Sequence, residues 1–297
     1  LPASLAQDRE VGRSGSDQED GMAAWQFDGM TGRRQFLAAF AGASALGLCG
    51  RFAHADEVQI AALIDQAPQT HPLIPALRTA MKALDTAKAL TDYEATFTKT
   101  EQVDRETLTA KLQLKVRHSP FSVYIKYLEP GAGREAIYVT GRNDGLVAVH
   151  GTGIQALVGT LNIDPLGSTA MNENRYPITK AGMVVMTESL MELWISLAKG
   201  EAAGVTVNNY PNAKIGTQAC QTIEVILAQP IGSSSYQTSR LYIDTASGLP
   251  IRVQQYAFPT RRGQKPVLVE DYLYQNLKTN IGLAEIDFDP ANPKYGY

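Results

Sequence analysis

Leu108-Thr109-Ala110-Lys111-Leu112-Gln113-Leu114-Lys115-Val116-Arg117 alternates apolar and polar residues without a break. A period of two puts every apolar side chain on one face of an extended chain and every polar one on the other. The stretch therefore predicts a β-strand with one buried and one wet face. The same alternation opens at Tyr93, Ala95 and Phe97 and returns at Phe121, Val123, Ile125 and Tyr127, with short strands expected over 135–140 and 145–150. His118-Ser119-Pro120, Pro130-Gly131-Ala132-Gly133 and Asn143-Asp144-Gly145 separate these runs with turn-forming residues, which predicts an antiparallel meander.

Five further strands are expected over 205–210, 216–229, 236–245, 250–258 and 267–277, with Asp244-Thr245-Ala246-Ser247-Gly248 as a hairpin turn. Two helical stretches interrupt the strands. One spans 56–88, with Ala76, Leu77, Ala80, Met81 and Leu84 at helical spacing after Pro75; the other spans 181–199, with Met183, Met186, Leu190, Leu193, Trp194 and Leu197 as its apolar stripe. Between the halves, 151–180 is broken by Gly151, Gly153, Gly159, Pro165, Gly167 and Pro177 and reads as a long loop enclosing one short strand over 157–163. The fold class is therefore α+β. About eleven strands are expected to curl into a strongly curved, unclosed β-barrel with helices over its concave face.

Near the start, Arg33-Arg34-Gln35-Phe36-Leu37 precedes an apolar run ending at Leu48, and Ala53-His54-Ala55 forms a small-x-small site. Paired arginines, a core too short to span a bilayer and a cleavage site together predict a twin-arginine export signal over 30–55. Arg33, Arg34, Ala53 and Ala55 are its defining residues, cleavage falls after Ala55, and the destination is the periplasm. Residues 1–29 read as an upstream or disordered segment, and 56–297 as a single mature domain.

The chain has 297 residues, 44% of them hydrophobic, enough to build a core, and its net charge of −3 gives no electrostatic grip on nucleic acid. Cys49 and Cys220 are too few for a disulfide framework or a cysteine zinc site. No metalloprotease, nucleophile-elbow or P-loop motif occurs. Two loose glycine patterns, at Gly131 and Gly151, lie among strands rather than at the head of a helix. His71, His118 and His150 are isolated from one another in sequence. The expectation is accordingly a protein with no catalytic residues, no metal and no cofactor.

Several segments carry a resemblance: Phe97-Thr98-Lys99-Thr100-Glu101, Lys115 to Tyr124, Gly133-Arg134-Glu135-Ala136-Ile137-Tyr138, and Asn174-Arg175-Tyr176-Pro177-Ile178-Thr179 followed by Ala181-Gly182. Over roughly 90–280 the chain looks like the bacterial domain-of-unknown-function family 1571, which implies no particular activity. The hairpin Leu241-Tyr242-Ile243-Asp244 and Leu249-Pro250-Ile251-Arg252 is similar in style to the periplasmic lipoprotein carriers LolA and LolB. That second likeness implies a LolA-like unclosed barrel that holds acyl chains.

The leading expectation is a non-enzymatic periplasmic carrier of a lipid or acylated protein, with transient contact to the membrane or an envelope protein. Leu112, Leu114, Val123, Ile125, Met183, Met186, Leu190 and Trp194 are expected to line an apolar cavity between sheet and helices. Arg134 and Arg175 stand at loop junctions, where an arginine either holds a ligand head group at the rim or pins the loop to the fold. Two rivals remain. One is an envelope interaction module that binds a partner through a sheet edge or the 151–180 loop, recognisable by a filled interior and an exposed apolar patch. The other is a hydrolase pairing Glu135 with a histidine.

Overall fold

The alternation at 108–117 becomes strand β2 (Glu106–Arg117), paired along its whole length with β1 (Asp92–Val103). The computed structural model describes residues 60–232, 234–261 and 263–297. The export-signal residues Arg33, Arg34, Ala53 and Ala55 lie outside them, as do 1–29. The described residues belong to one unit.

Nine more strands follow: β3 (Ser122–Glu129), β4 (Glu135–Val139), β5 (Val147–His150), β6 (Leu161–Ile163), β7 (Val205–Ile215), β8 (Gln218–Leu227), β9 (Tyr236–Asp244), β10 (Pro250–Ala257) and β11 (Val267–Thr279). They form one sheet of order β6-β5-β4-β3-β2-β1-β11-β10-β9-β8-β7, antiparallel throughout. The helices are α1 (60–66), α2 (Leu73–Lys88), the single turn α3 (Ser168–Met171) and α4 (Met183–Ala198).

Helix α2 starts two residues before Pro75 because the first turn needs no N–H from its third residue, and His71 Nδ1 accepts the Leu73 N–H at 3.2 Å. Helix α4 starts where Gly182 adopts φ +112°. There Tyr93 Oη accepts the Met183 N–H at 3.0 Å, and a Cβ on residue 182 would stand 3.1 Å from that same oxygen.

Register assigns the faces. Tyr93, Ala95 and Phe97 lie opposite Val116, Leu114 and Leu112, and Phe97 lies opposite Tyr274 on the other side. Helices α1, α2 and α4 pack on this inner face. Ile64, Leu77, Leu84, Leu190, Trp194 and Ile195 form one apolar cluster with Ile223, Val225, Leu241 and Val253 of β8–β10. Tyr93, Leu114, Val116, Val123, Met183, Ile251 and Tyr274 form a second. Trp194 Nε1 donates to Ser239 Oγ at 2.7 Å, so its one polar atom is satisfied in the core. The outer face behaves differently. Over β3–β5 it is apolar at Tyr124, Ile137, Val139 and Ala148 and is capped by Phe288 from the segment after β11, while over β8–β11 it carries a ladder of Glu224, Arg240, Arg252 and Asp271.

The expected strong curl is not what forms. The sheet is open, with β6 and β7 as its two edges, and it is neither closed nor strongly curled. Helix packing covers the inner face from β3 across to β8, and the segment after β11 covers the outer face over β3–β5.

Leu190 is fully buried at the α4–sheet contact. Leu190→Ala is expected to lower the unfolding free energy by about 2–5 kcal/mol, read as a shifted urea midpoint. Acid should loosen the outer cover. Burial works against the Asp287 carboxylate, but hydrogen bonds from Lys115 and the Ala284 N–H hold its pKa below the ordinary 3.8. A depressed carboxylate contributes stability that is complete above the unfolded value and lost as pH falls through the folded one. Amide exchange in 283–297 should therefore accelerate only below about pH 4, and exchange unchanged down to the acid unfolding transition would count against this anchoring.

Candidate functional site

At one end of the inner face the apolar pattern stops. Strand β1 continues its inward positions from Phe97 to Lys99 and Glu101, which lie opposite Tyr272 and Glu270 of β11. A lysine and two glutamates are thereby buried on a sheet face, an arrangement that holds only when every charge is paired.

The loop after α3 supplies the partners. Lys99 Nζ donates to Glu101 Oε2 at 2.7 Å, to Asn174 Oδ1 at 2.5 Å and to the Glu173 carbonyl at 3.1 Å. Tyr272 donates to Glu101 Oε1 at 2.7 Å and the Arg175 N–H to Oε2 at 3.2 Å. Arg175 reaches the Gln102 carbonyl and Tyr236 Oη at 3.2 and 3.1 Å, and Tyr236 in turn donates to Glu270 Oε1 at 2.5 Å. Burial disfavours the Arg175 charge, but Tyr236 and Glu270 beside it more than offset that, and its pKa is raised. Burial and the Glu270 carboxylate push the Tyr236 phenol up and the Tyr176 phenol up to about 12. These phenols are neutral donors at any physiological pH. Two cations face two carboxylates: both oxygens of Glu101 and Oε1 of Glu270 accept hydrogen bonds, and Glu270 Oε2 lies 3.8 Å from Arg175 Nε, so the cluster works as a clamp on the loop.

Arg134 extends the clamp outward. Its guanidinium lies 4.1 Å from the Tyr127 ring centre and donates to Glu173 at 2.9 Å. Arg134 and Arg175 thus meet on one loop, where both hold protein groups. Lys99, Glu101, Tyr236 and Glu270 escaped sequence reasoning. The signal that finds them is the break in the inward apolar series after Phe97, where charged residues occupy positions that the pattern reserves for the core.

Of the positions expected to line a cavity, all but Leu112 lie inside the two inner-face clusters or against them. Leu112, Leu114, Val123, Met183, Leu190 and Trp194 are buried, and Ile125 and Met186 are half-buried beside them. Two depressions, of about 380 and 280 Å³, lie instead where α1 meets α4 and α2, and none of those eight residues lines either.

The clamped loop bears the other unusual feature. Ile154, Leu157 and Val158 project from one 3₁₀ turn, Gly153–Val158, and are 85%, 86% and 66% exposed. Leu161 on β6 and Leu166 beyond it are 49% and 70% exposed. From Val147 to Ile163 the chain has no Asp, Glu, Lys or Arg. A spacing of three residues nearly eclipses side chains on a 3₁₀ turn, so Ile154 and Leu157 form one apolar edge facing solvent beside the free edge of the sheet.

Residues 90–297 match the family described as a protein of unknown function, DUF1571. No curated protein matches the chain. Among solved structures it is similar to the lipoprotein LppX of Mycobacterium tuberculosis, at 17% identity and TM-score 0.41 over 72% of this chain and 99% of that one. It is similar also to a LolA superfamily protein from Nitrosomonas europaea, at 12% identity and TM-score 0.29 over 71% and 96%. A third likeness is to the MucA/MucB complex of Pseudomonas aeruginosa, at 15% identity and TM-score 0.39 over 72% and 60%.

Arg175→Ala removes the clamp's central cation and leaves Glu270 short of a partner. It should cost about 1–3 kcal/mol and raise amide exchange across 164–177. Arg134→Ala, whose pair is largely exposed, should cost under about 1 kcal/mol. Equal losses in the two variants would show that the clamp has no centre.

Proposed function

The chain belongs to the DUF1571 family, and on the geometry of its loop we propose that it is an exported, non-enzymatic binding protein for the acyl chain of a lipid or an acylated protein. The single observation that carries this reading is the set of five large apolar side chains exposed over 154–166. Covering one such side chain is worth about 1.5–3 kcal/mol, and contiguous exposed apolar surface marks a site of interaction. The clamp on Lys99 and Arg175 adds to the argument, because a loop held rigidly keeps its apolar edge from collapsing onto the fold. The reading of 30–55 as a twin-arginine leader supports a periplasmic location, where lipids and acylated proteins would be its neighbours.

In this reading the acyl chain lies along the loop and the β6 edge, and the interior stays closed. Leu112, Leu114, Val123, Ile125, Met183, Met186, Leu190 and Trp194 then serve as packing within the fold and take no part in binding. Arg134, part-exposed at the loop's foot, is the cation placed to meet a head group, and Arg175 holds the loop in position. A second reading is favoured by the free edge of β6 itself: a partner strand pairing with Leu161–Ile163 would cover the same side chains.

Titration with a fluorescent fatty acid and with a lipidated peptide, each paired with its unacylated counterpart, tests the proposal. Ile154→Ser with Leu157→Ser should weaken binding of the acylated probes by at least about tenfold, since each change removes more than about 1 kcal/mol of apolar cover. The thermal midpoint should stay within about 2 °C, because neither residue contributes to the core. Undiminished binding in the double variant would move the site away from the loop. Equal binding of lipidated and unlipidated peptide would support strand pairing instead.

A further inference from the structure

On the outer face, a second surface is built around the side chain of Glu135, which is fully buried. Its Oε1 accepts from Tyr124 at 3.2 Å and from Lys126 at 2.9 Å, and its Oε2 accepts the Gly296 N–H at 2.9 Å. The residues flanking Gly296 are held as specifically. Tyr295 stacks on Tyr124 with ring centres 4.1 Å apart and planes within 10°, and Lys115 Nζ lies beside both rings and 3.2 Å from Tyr295 Oη. The Tyr297 hydroxyl donates to the Ala148 carbonyl at 3.0 Å, and its ring packs 5.5 Å from that of His150.

We propose that Lys115, Tyr124, Glu135, Ala148 and His150 form a recognition site for an aromatic-x-aromatic peptide segment, that Tyr295-Gly296-Tyr297 is its occupant within the chain, and that a second copy of the chain can supply the same segment in its place. Three contacts define the ligand chemistry. An aromatic ring at the first position stacks on Tyr124 while the Lys115 ammonium donates to its hydroxyl. A backbone N–H at the second meets a buried carboxylate, and a phenol at the third meets a carbonyl. The middle residue is free to vary, since a Cβ on residue 296 would stand 3.6 Å from His150 and 3.9 Å from Glu135, ordinary contact distances.

The occupant completes the pairing of the site: with Gly296 in place both oxygens of the buried Glu135 carboxylate accept hydrogen bonds. Part of the outer cover is made outside the occupant: Phe288 is buried with Arg117 over its ring at 4.9 Å and Asp287 pairs with Lys115, while Tyr295 adds a hydrogen bond to the Asp287 carbonyl at 2.7 Å. Between them Pro290 and Pro293 interrupt a stretch that pairs with no strand. The chain's own segment has the advantage of high local concentration, so exchange shows once that segment is weakened.

The test uses the full chain and a labelled peptide spanning Ala291–Tyr297. The chain carrying Tyr295→Ala and Tyr297→Ala should bind this peptide at least about tenfold more tightly than the unsubstituted chain does, because its site is vacated. A peptide with Tyr295→Ala should not bind, and because that change lies in the ligand, folding of the protein does not enter. Mixed with the unsubstituted chain, the double variant should form a hetero-dimer visible by native mass spectrometry. A folded double variant that fails to bind the peptide, or equal binding by both proteins, overturns the recognition site. Peptide binding with no hetero-dimer overturns the exchange between copies.

Discussion

The pairing of β1 with β11 is the constraint from which the rest of this structure follows. It joins strands at opposite ends of the described chain, with Tyr93 opposite Thr279 and Glu101 opposite Glu270. On one side of this seam β2 to β6 follow as a meander, and on the other β10 to β7 follow in reverse order. A shift of one residue at the seam would turn Phe97 and Tyr274 away from the core and bring Thr96 and Thr98 into it. The same register sets Lys99 and Glu101 beside Tyr272 and Glu270, so the clamp is a product of the seam.

The two faces of the sheet have different covers. Helices α2 and α4 bury the inner face in two apolar clusters that draw on both halves of the sheet. The segment after β11 buries the outer face of β3–β5 with Phe288 and the paired tyrosines. The loop from Gly153 to Leu166 leaves Ile154, Leu157, Val158, Leu161 and Leu166 exposed, and further along the same connection Arg175 is tied to the Gln102 carbonyl.

The buried charges and the exposed apolar loop depart from pattern in opposite directions. Lys99 and Glu101 occupy inward positions meant for apolar residues, while Ile154 and Leu157 face solvent. Consistency across levels is the ordinary state of a protein sequence, and departures from it gather where a protein does something besides fold. Arg175 was legible as a residue at a loop junction, with loop pinning as one of its two roles, because Asn-Arg-Tyr-Pro closes a long loop just before a helix. Its partners were not legible, since Gln102, Tyr236 and Glu270 lie on three strands far away in sequence.

The local alternation of side chains determined the strands, their half-buried character, the meander of the first half and the two principal helices. Strand period and turn chemistry are properties of neighbouring residues, so Leu108–Arg117 declares itself without help. Glycine and proline likewise marked 151–180 as a loop. Only the tertiary structure decided that the sheet stays open, that Lys99 and Arg175 meet Glu101 and Glu270, and that Glu135 receives Gly296. Those outcomes depend on which distant surfaces meet, and burial free energy is set by the area that two surfaces remove from water together. No single segment contains that quantity.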